Sequence, residues 1–218
     1  MDLKTSIMHA IASVFALALI VSPFPAQVSL SAAPAEAAEN CASDVKRDDL
    51  NDAQALTLYD CIKDKMYSDL QKSGLEEAKA YRDWALVSTA PFVSATHGNR
   101  FVRHYVNEIG KDAYVKWEKI GGRTMPVGSI TAKESFYVNK KGQVRNGPFF
   151  LMEKVAAGTL PDTDDWKYTL MFPNGTIVGV SGTDTAKKVK FCHGCHLSVL
   201  EDQDGMFFPN VDYRVKSN

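Results

Sequence analysis

Residues 192–196 read Cys-His-Gly-Cys-His, and this pentapeptide restricts the fold more tightly than any other stretch of the 218-residue chain. Two thiols three residues apart on a helical turn reach one edge of a porphyrin and add to its vinyl groups. The next residue, His196, can swing beneath the ring to the metal. At this composition about 0.002 chance occurrences of the pattern are expected. Two other readings of the cysteine pair are weaker. A redox C-x-x-C opens a helix after a strand in a parallel βαβ unit, which the flanking sequence does not offer. A structural zinc site needs two further ligands, and no second Cys/His pair stands at ligand spacing. One covalently attached haem c, held by Cys192 and Cys195 with iron on His196, is the expectation. His193 is a filler position.

Covalent haem attachment of this kind belongs to exported proteins, and the N-terminus agrees. Lys4 precedes an apolar run from Ile7 to Val21, followed by Pro23, Pro25 and the small-residue segment 32–38 with Ala35-Glu36-Ala37. The run is short for a membrane span and carries an A-x-A cleavage site, so residues 1–38 read as a signal peptide and the mature protein as periplasmic. An uncleaved anchor is the alternative. With 25 basic and 26 acidic side chains the chain has no electrostatic case for nucleic acid or an acidic membrane surface. The 180 residues that remain after cleavage suffice for one domain with its own core.

Residues 39–90 read as an N-terminal helical region and 91–218 as the haem domain. Apolar positions recurring at threes and fours from Ser43 to Ser73, interrupted around Asp48 to Asp52, predict two short helices joined near Asn51. A further helical stretch runs through Tyr81 and Trp84. A Cys41–Cys61 disulfide would staple this region, worth roughly 3 kcal/mol by the chain-entropy model. Ser94 to Arg100 reads as loop, and Lys111 to Ile120 as a short helix ended by Gly121-Gly122. The texture then changes to alternation: 129–138, 149–155, 166–172 and 176–180 predict four strands of an antiparallel meander. Asn174-Gly175, between the last two, is the best hairpin signal, because both residues tolerate positive φ. Helices first and a sheet after them argue an α+β fold.

Ordered landmarks extend the reading. His97-Gly98 with Arg100-Phe101, Met125-Pro-Val-Gly128, Ala132-Lys-Glu-Ser-Phe136, Gly147-Pro148, Met152-Glu-Lys154, Asp165-Trp166, Pro173-Asn-Gly175 and the terminal C-x-x-C-H make residues 97–214 similar to the cytochrome P-460 family, which includes the cytochromes c′-β. That resemblance implies a small antiparallel sheet packed with helices, often dimeric, with the haem motif late in the chain. In the family's enzymatic branch a strand lysine is bonded to the porphyrin, and Lys133 is the matching position. Alternation alone places Lys133 on a polar strand face with Thr131, Ser135 and Tyr137, where a solvated lysine is the ordinary reading. No acidic residue here is matched to the one that assists proton removal in enzymatic members. Glu134 lies on the opposite strand face, and Asp184 in a turn.

These readings imply a periplasmic oxidoreductase with open iron that takes hydroxylamine or nitric oxide, passes electrons to a partner cytochrome and forms a homodimer. The alternatives are a non-catalytic nitric oxide-binding protein of the c′-β type and a simple electron carrier. For the second iron face Met125, Met152, Met171, Met206, His97 and His104 are available, although packing is the ordinary role of each. Phe207 and Phe208 either cover the haem or join the core.

Overall fold

The computed structural model describes residues 41–116 and 124–216. The signal segment expected over residues 1–38, and the Gly121-Gly122 pair expected to end a helix, lie outside them. Element order is α1 (Asp52–Gln71), α2 (Glu76–Ala80), β1 (Ala85–Leu86), β2 (Phe92–Ser94), β3 (Arg100–Val106), α3 (Glu108–Val115), β4 (Ile130–Val138), β5 (Val144–Asn146), β6 (Phe149–Lys154), β7 (Trp166–Met171), β8 (Ile177–Val180), α4 (Lys190–His196) and α5 (Leu200–Gln203). The strands form one sheet in the order β1-β3-β4-β6-β7-β8, with β2 also on β3 and β5 also on β4, and every pairing is antiparallel. The fold is α+β, and its β4-β6-β7-β8 run is the expected meander.

Three local expectations change. The residues around Asn51 begin a helix rather than join two. After a 3-10 turn at Arg47–Asp49, Asn51 caps the 20-residue α1. Its side chain accepts from the Gln54 N–H at 2.9 Å, and Gln54 Oε1 accepts from the Asn51 N–H at 3.0 Å, a reciprocal capping box. The loop expected from Ser94 to Arg100 shrinks to a 3-10 turn at Ala95–His97 with left-handed Gly98 and Asn99, and it leads into β3. Strand β3 had no alternation to reveal it, since it is buried on both faces and carries Arg103 and His104. In the Asn174-Gly175 hairpin only Gly175 takes a positive φ, 84°. Asn174 instead accepts the Thr176 N–H through its side chain at 3.0 Å.

Strand alternation divides the interior in two. One face of the sheet sends Phe101, Tyr105, Ala132, Phe136, Phe149 and Met171 into a core with Leu58, Tyr59, Ile62, Met66 and Leu70 of α1. Cys41 and Cys61 are joined by a disulfide with Cα atoms 6.0 Å apart, which ties the segment before α1 to the middle of that helix. Glu134 sits on this face, 1% exposed. Its carboxylate accepts from Tyr59 at 2.6 Å, Tyr105 at 3.1 Å, Tyr81, and Arg82 Nη2 at 2.6 Å. The other face presents Val106, Met152, Trp166, Tyr168 and Leu170 to Met125, Tyr114, Val189 and Met206. The C-terminal segment with α4 lies on that second side.

Candidate haem site

Helix α4 carries the whole motif. Its inward side brings His196 to 6% exposure, while Cys192 is half-buried and Cys195 exposed, neither of them in a disulfide. The sheet face opposite is built by cross-strand neighbours. Lys133 pairs with His104 of β3 and Phe150 of β6, Thr131 with Met152, and Met152 with Tyr168. Between helix and sheet lies a cavity of about 580 Å³, counting the part open to solvent. Its walls include His97, Lys133, Phe150, Met152, Tyr168, Phe191, Cys192, Cys195 and His196. The mostly apolar lining with a few converging polar groups is that of a cofactor site. An adjoining cavity of about 640 Å³, again counting the part open to solvent, shares Thr96, His97 and Lys133 and is bounded by Phe92, His104, Phe207 and Phe208.

The His196 imidazole is prepared for a metal. Its Nδ1–H donates to the Gly205 carbonyl at 2.6 Å, which leaves the Nε2 lone pair as the available donor. Tyr168 and Phe207 meet the ring edge-on at 5.5 and 5.1 Å between centroids and fix its plane. Burial, and after it the Lys133 charge, pushes this imidazole down to about 3, so it is neutral at neutral pH, the ligating form. His193 faces elsewhere, with Nε2 3.1 Å from the Asp164 carboxylate.

Lys133 is 4% exposed, and its ammonium has no hydrogen-bond partner among the described residues. Burial lowers it to about 8, against a weaker pull upward from Cys195, so a fraction of the amine is neutral near neutral pH. A neutral amine in an apolar cavity is a nucleophile. The solvated lysine that alternation suggests is therefore absent, because the face it occupies is covered by the C-terminal segment.

The other candidates separate. Met152 and His97 line the cavity. Met125 and Met206 are buried in the core on the same side, and Met171 belongs to the core on the far side of the sheet. His104 is buried with Nδ1 3.0 Å from the Tyr114 hydroxyl. His97 holds Nδ1 2.8 Å from Ser94 Oγ and lies edge-on to Phe150, and burial, with Lys133 behind it, pushes it down to about 2. Phe207 packs on the His196 ring, whereas Phe208 packs on Tyr114. Asp184 is exposed in its turn. Among the described residues that line the cavity there is no carboxylate.

The sequence reading missed the Ser94 contact, the Tyr168 wall and the turn at Asp204-Gly205. Only the landmarks Lys154 and Trp166, which reach that turn, could have signalled it. Two thiols, a neutral buried imidazole with its second nitrogen held, and an apolar wall opposite are the donor set of a c-type haem, and the residues present fit that group. The family model for Cytochrome P460 matches residues 78–208, from α2 through the haem motif to Phe208. No curated protein matches the chain.

Proposed function

The chain belongs to the cytochrome P460 family, and on that premise we propose that it is an exported oxidoreductase acting on a small nitrogen compound, hydroxylamine or nitric oxide, and passing electrons to a partner cytochrome. Cys192 and Cys195 would hold one haem c through thioethers, and His196 would ligate its iron from one side. When bound, the haem supplies a redox-active iron with an open face for a small ligand.

The chain's own residues supply the surroundings. Gly205 orients the ligating imidazole, Phe150, Met152 and Tyr168 exclude water, and Phe191 bounds the cavity at the helix. The observation that carries the reading is Lys133, a buried amine without a described partner in the same cavity as both thiols and His196. Its neutral form can attack a ring carbon. A bond from Nζ to that carbon would replace the carbon's hydrogen with loss of two protons and two electrons, for which a peroxide, reduced to water, would be the co-reactant. Such a bond would give the protein a hold on the electronics of the group.

A tryptic digest of protein matured in a cytochrome c-competent host, followed by haem absorbance into a mass spectrometer, tests this. The Lys133 peptide should emerge joined to the Cys192/Cys195 peptide through one haem, and Lys133→Arg should lose hydroxylamine turnover. Unchanged turnover in Lys133→Arg would remove Lys133 from the chemistry. One observation favours a second reading: among the described residues the cavity is lined by aromatic and thioether groups without a carboxylate, which suits a size-selective nitric oxide binder of the c′-β type. Haem on the cysteine peptide alone, with nitric oxide binding and no turnover, would select it. A low-spin spectrum in both oxidation states would instead select the simple electron carrier.

A further inference from the structure

Asp204 is a buried residue that the proposed chemistry leaves unused, and three donors from distant parts of the chain converge on it. Lys154 Nζ lies 2.8 Å from Oδ1, the Met125 N–H donates to Oδ2 at 2.8 Å, and Trp166 Nε1–H donates to the backbone carbonyl at 2.7 Å. Lys154 and Trp166 are directly opposed across β6 and β7, so the brace stands on the rigid floor of the sheet. The lysine lies 5.0 Å from the Trp166 ring, and it also donates to the Asp164 carbonyl at 3.2 Å.

What these contacts hold is an unusual piece of backbone. Asp204 and Gly205 are both left-handed, with φ of 47° and 73°. A side-chain-bearing residue keeps that conformation only where its surroundings over-determine it. The next carbonyl, that of Gly205, is the acceptor for His196 Nδ1–H at 2.6 Å, just under the usual N–H···O range. A metal-bound imidazole whose other nitrogen donates to a fixed acceptor gains basicity and a set orientation.

We propose that Asp204 is a positioning residue for the iron ligand: clamped by Lys154, Met125 and Trp166, it locks the 204–205 turn, holds the Gly205 carbonyl against His196 Nδ1 and so sets how strongly His196 donates to iron. The proposal rests on His196 as the ligand but not on the substrate or on the Lys133 bond.

The test uses holoprotein matured in a cytochrome c-competent host, as wild type, Asp204→Asn and Trp166→Phe. Resonance Raman reads the iron–histidine stretch of the ferrous form, and spectroelectrochemistry reads the midpoint potential. Asp204→Asn weakens the carboxylate's hold on Lys154, loosens the turn and should shift the stretch to lower frequency and the potential upward, because a weaker donor stabilises ferric iron less. Trp166→Phe removes one donor to the turn and should move both in the same direction by less. It also carries the test if Asp204→Asn does not mature. A stretch and potential that stay at wild-type values, while only the melting temperature falls, would overturn the proposal and leave Asp204 a stabilising residue. Absence of the iron–histidine band from a wild type whose ferrous form is high-spin would overturn the His196 ligation itself, and the proposal with it.

Discussion

Lys133 and Glu134 are consecutive in β4 and buried to 4% and 1% exposure, yet they sit in opposite electrostatic situations. Glu134 enters the core beneath α1 and meets three phenols and the Arg82 guanidinium, which together occupy both carboxylate oxygens. Burial and the nearby carboxylate push Tyr59, Tyr81 and Tyr105 above the ordinary phenol range, so they stay as donors. Lys133 enters the cavity beneath α4 and meets no described partner. A buried charge that is fully paired keeps its charged form in the fold, whereas one left unpaired costs stability and shifts toward its neutral form. One strand therefore carries a fully paired charge on one face and a buried amine without a described partner on the other.

The largest expected effect breaks the satisfied side. Glu134→Ala leaves Arg82 and three phenols without their acceptor and should cost about 3–5 kcal/mol in urea denaturation. A loss below about 1 kcal/mol would show the cluster to be solvated.

The next effect reads the unsatisfied side through pH. The folded-state amine of Lys133 titrates at about 8 against an ordinary 10.5. Between those values the unfolded chain binds the extra proton, so stability rises with pH there. The penalty is fully present below pH 8 and gone above 10.5. In haem-free protein Lys133→Met should exceed wild type by about 3 kcal/mol at pH 7, and the gap should close as pH approaches 10.5. A gap that stays constant with pH would mean the amine finds a partner in solution.

The smallest effect contrasts two tyrosines. Tyr59→Phe removes a hydrogen bond to a charged acceptor and should cost about 2 kcal/mol. Tyr168→Phe, on the cavity side with no described hydroxyl partner, should be nearly neutral for stability while altering ligand binding to the haem. Equal losses at the two positions would erase the distinction between the faces.

Much of this arrangement is legible in the chain, unevenly. The meander could be read because β4, β6, β7 and β8 alternate or end in strong turn residues, signals that span only a few positions. Strand β3 could not, because burial on both faces removes the alternation and leaves Arg103 and His104 looking like surface. The cap at Asn51 was visible as a break in periodicity but not as a helix start, since the bond to Gln54 reads equally as a kink. Even Asn174-Gly175, a sound hairpin signal, left open which of its residues would take the positive φ.

The site divides along the same line. Spacing alone places Cys192, Cys195 and His196 on one helix, because three and four residues are a helical turn whatever surrounds it. Alternation alone sends Lys133 and Glu134 to opposite faces, because the strand repeat is two. Whether either face meets water is decided by segments 50 to 75 residues away: α1 brings Tyr59 to Glu134 on one side, and α4 covers Lys133 on the other. The strand's local geometry is written in its own residues, whereas burial, and with it the lowered titration of the lysine and the pairing of the carboxylate, depends on what packs against it. Only the tertiary structure decides that, because desolvation is a property of all the neighbours at once.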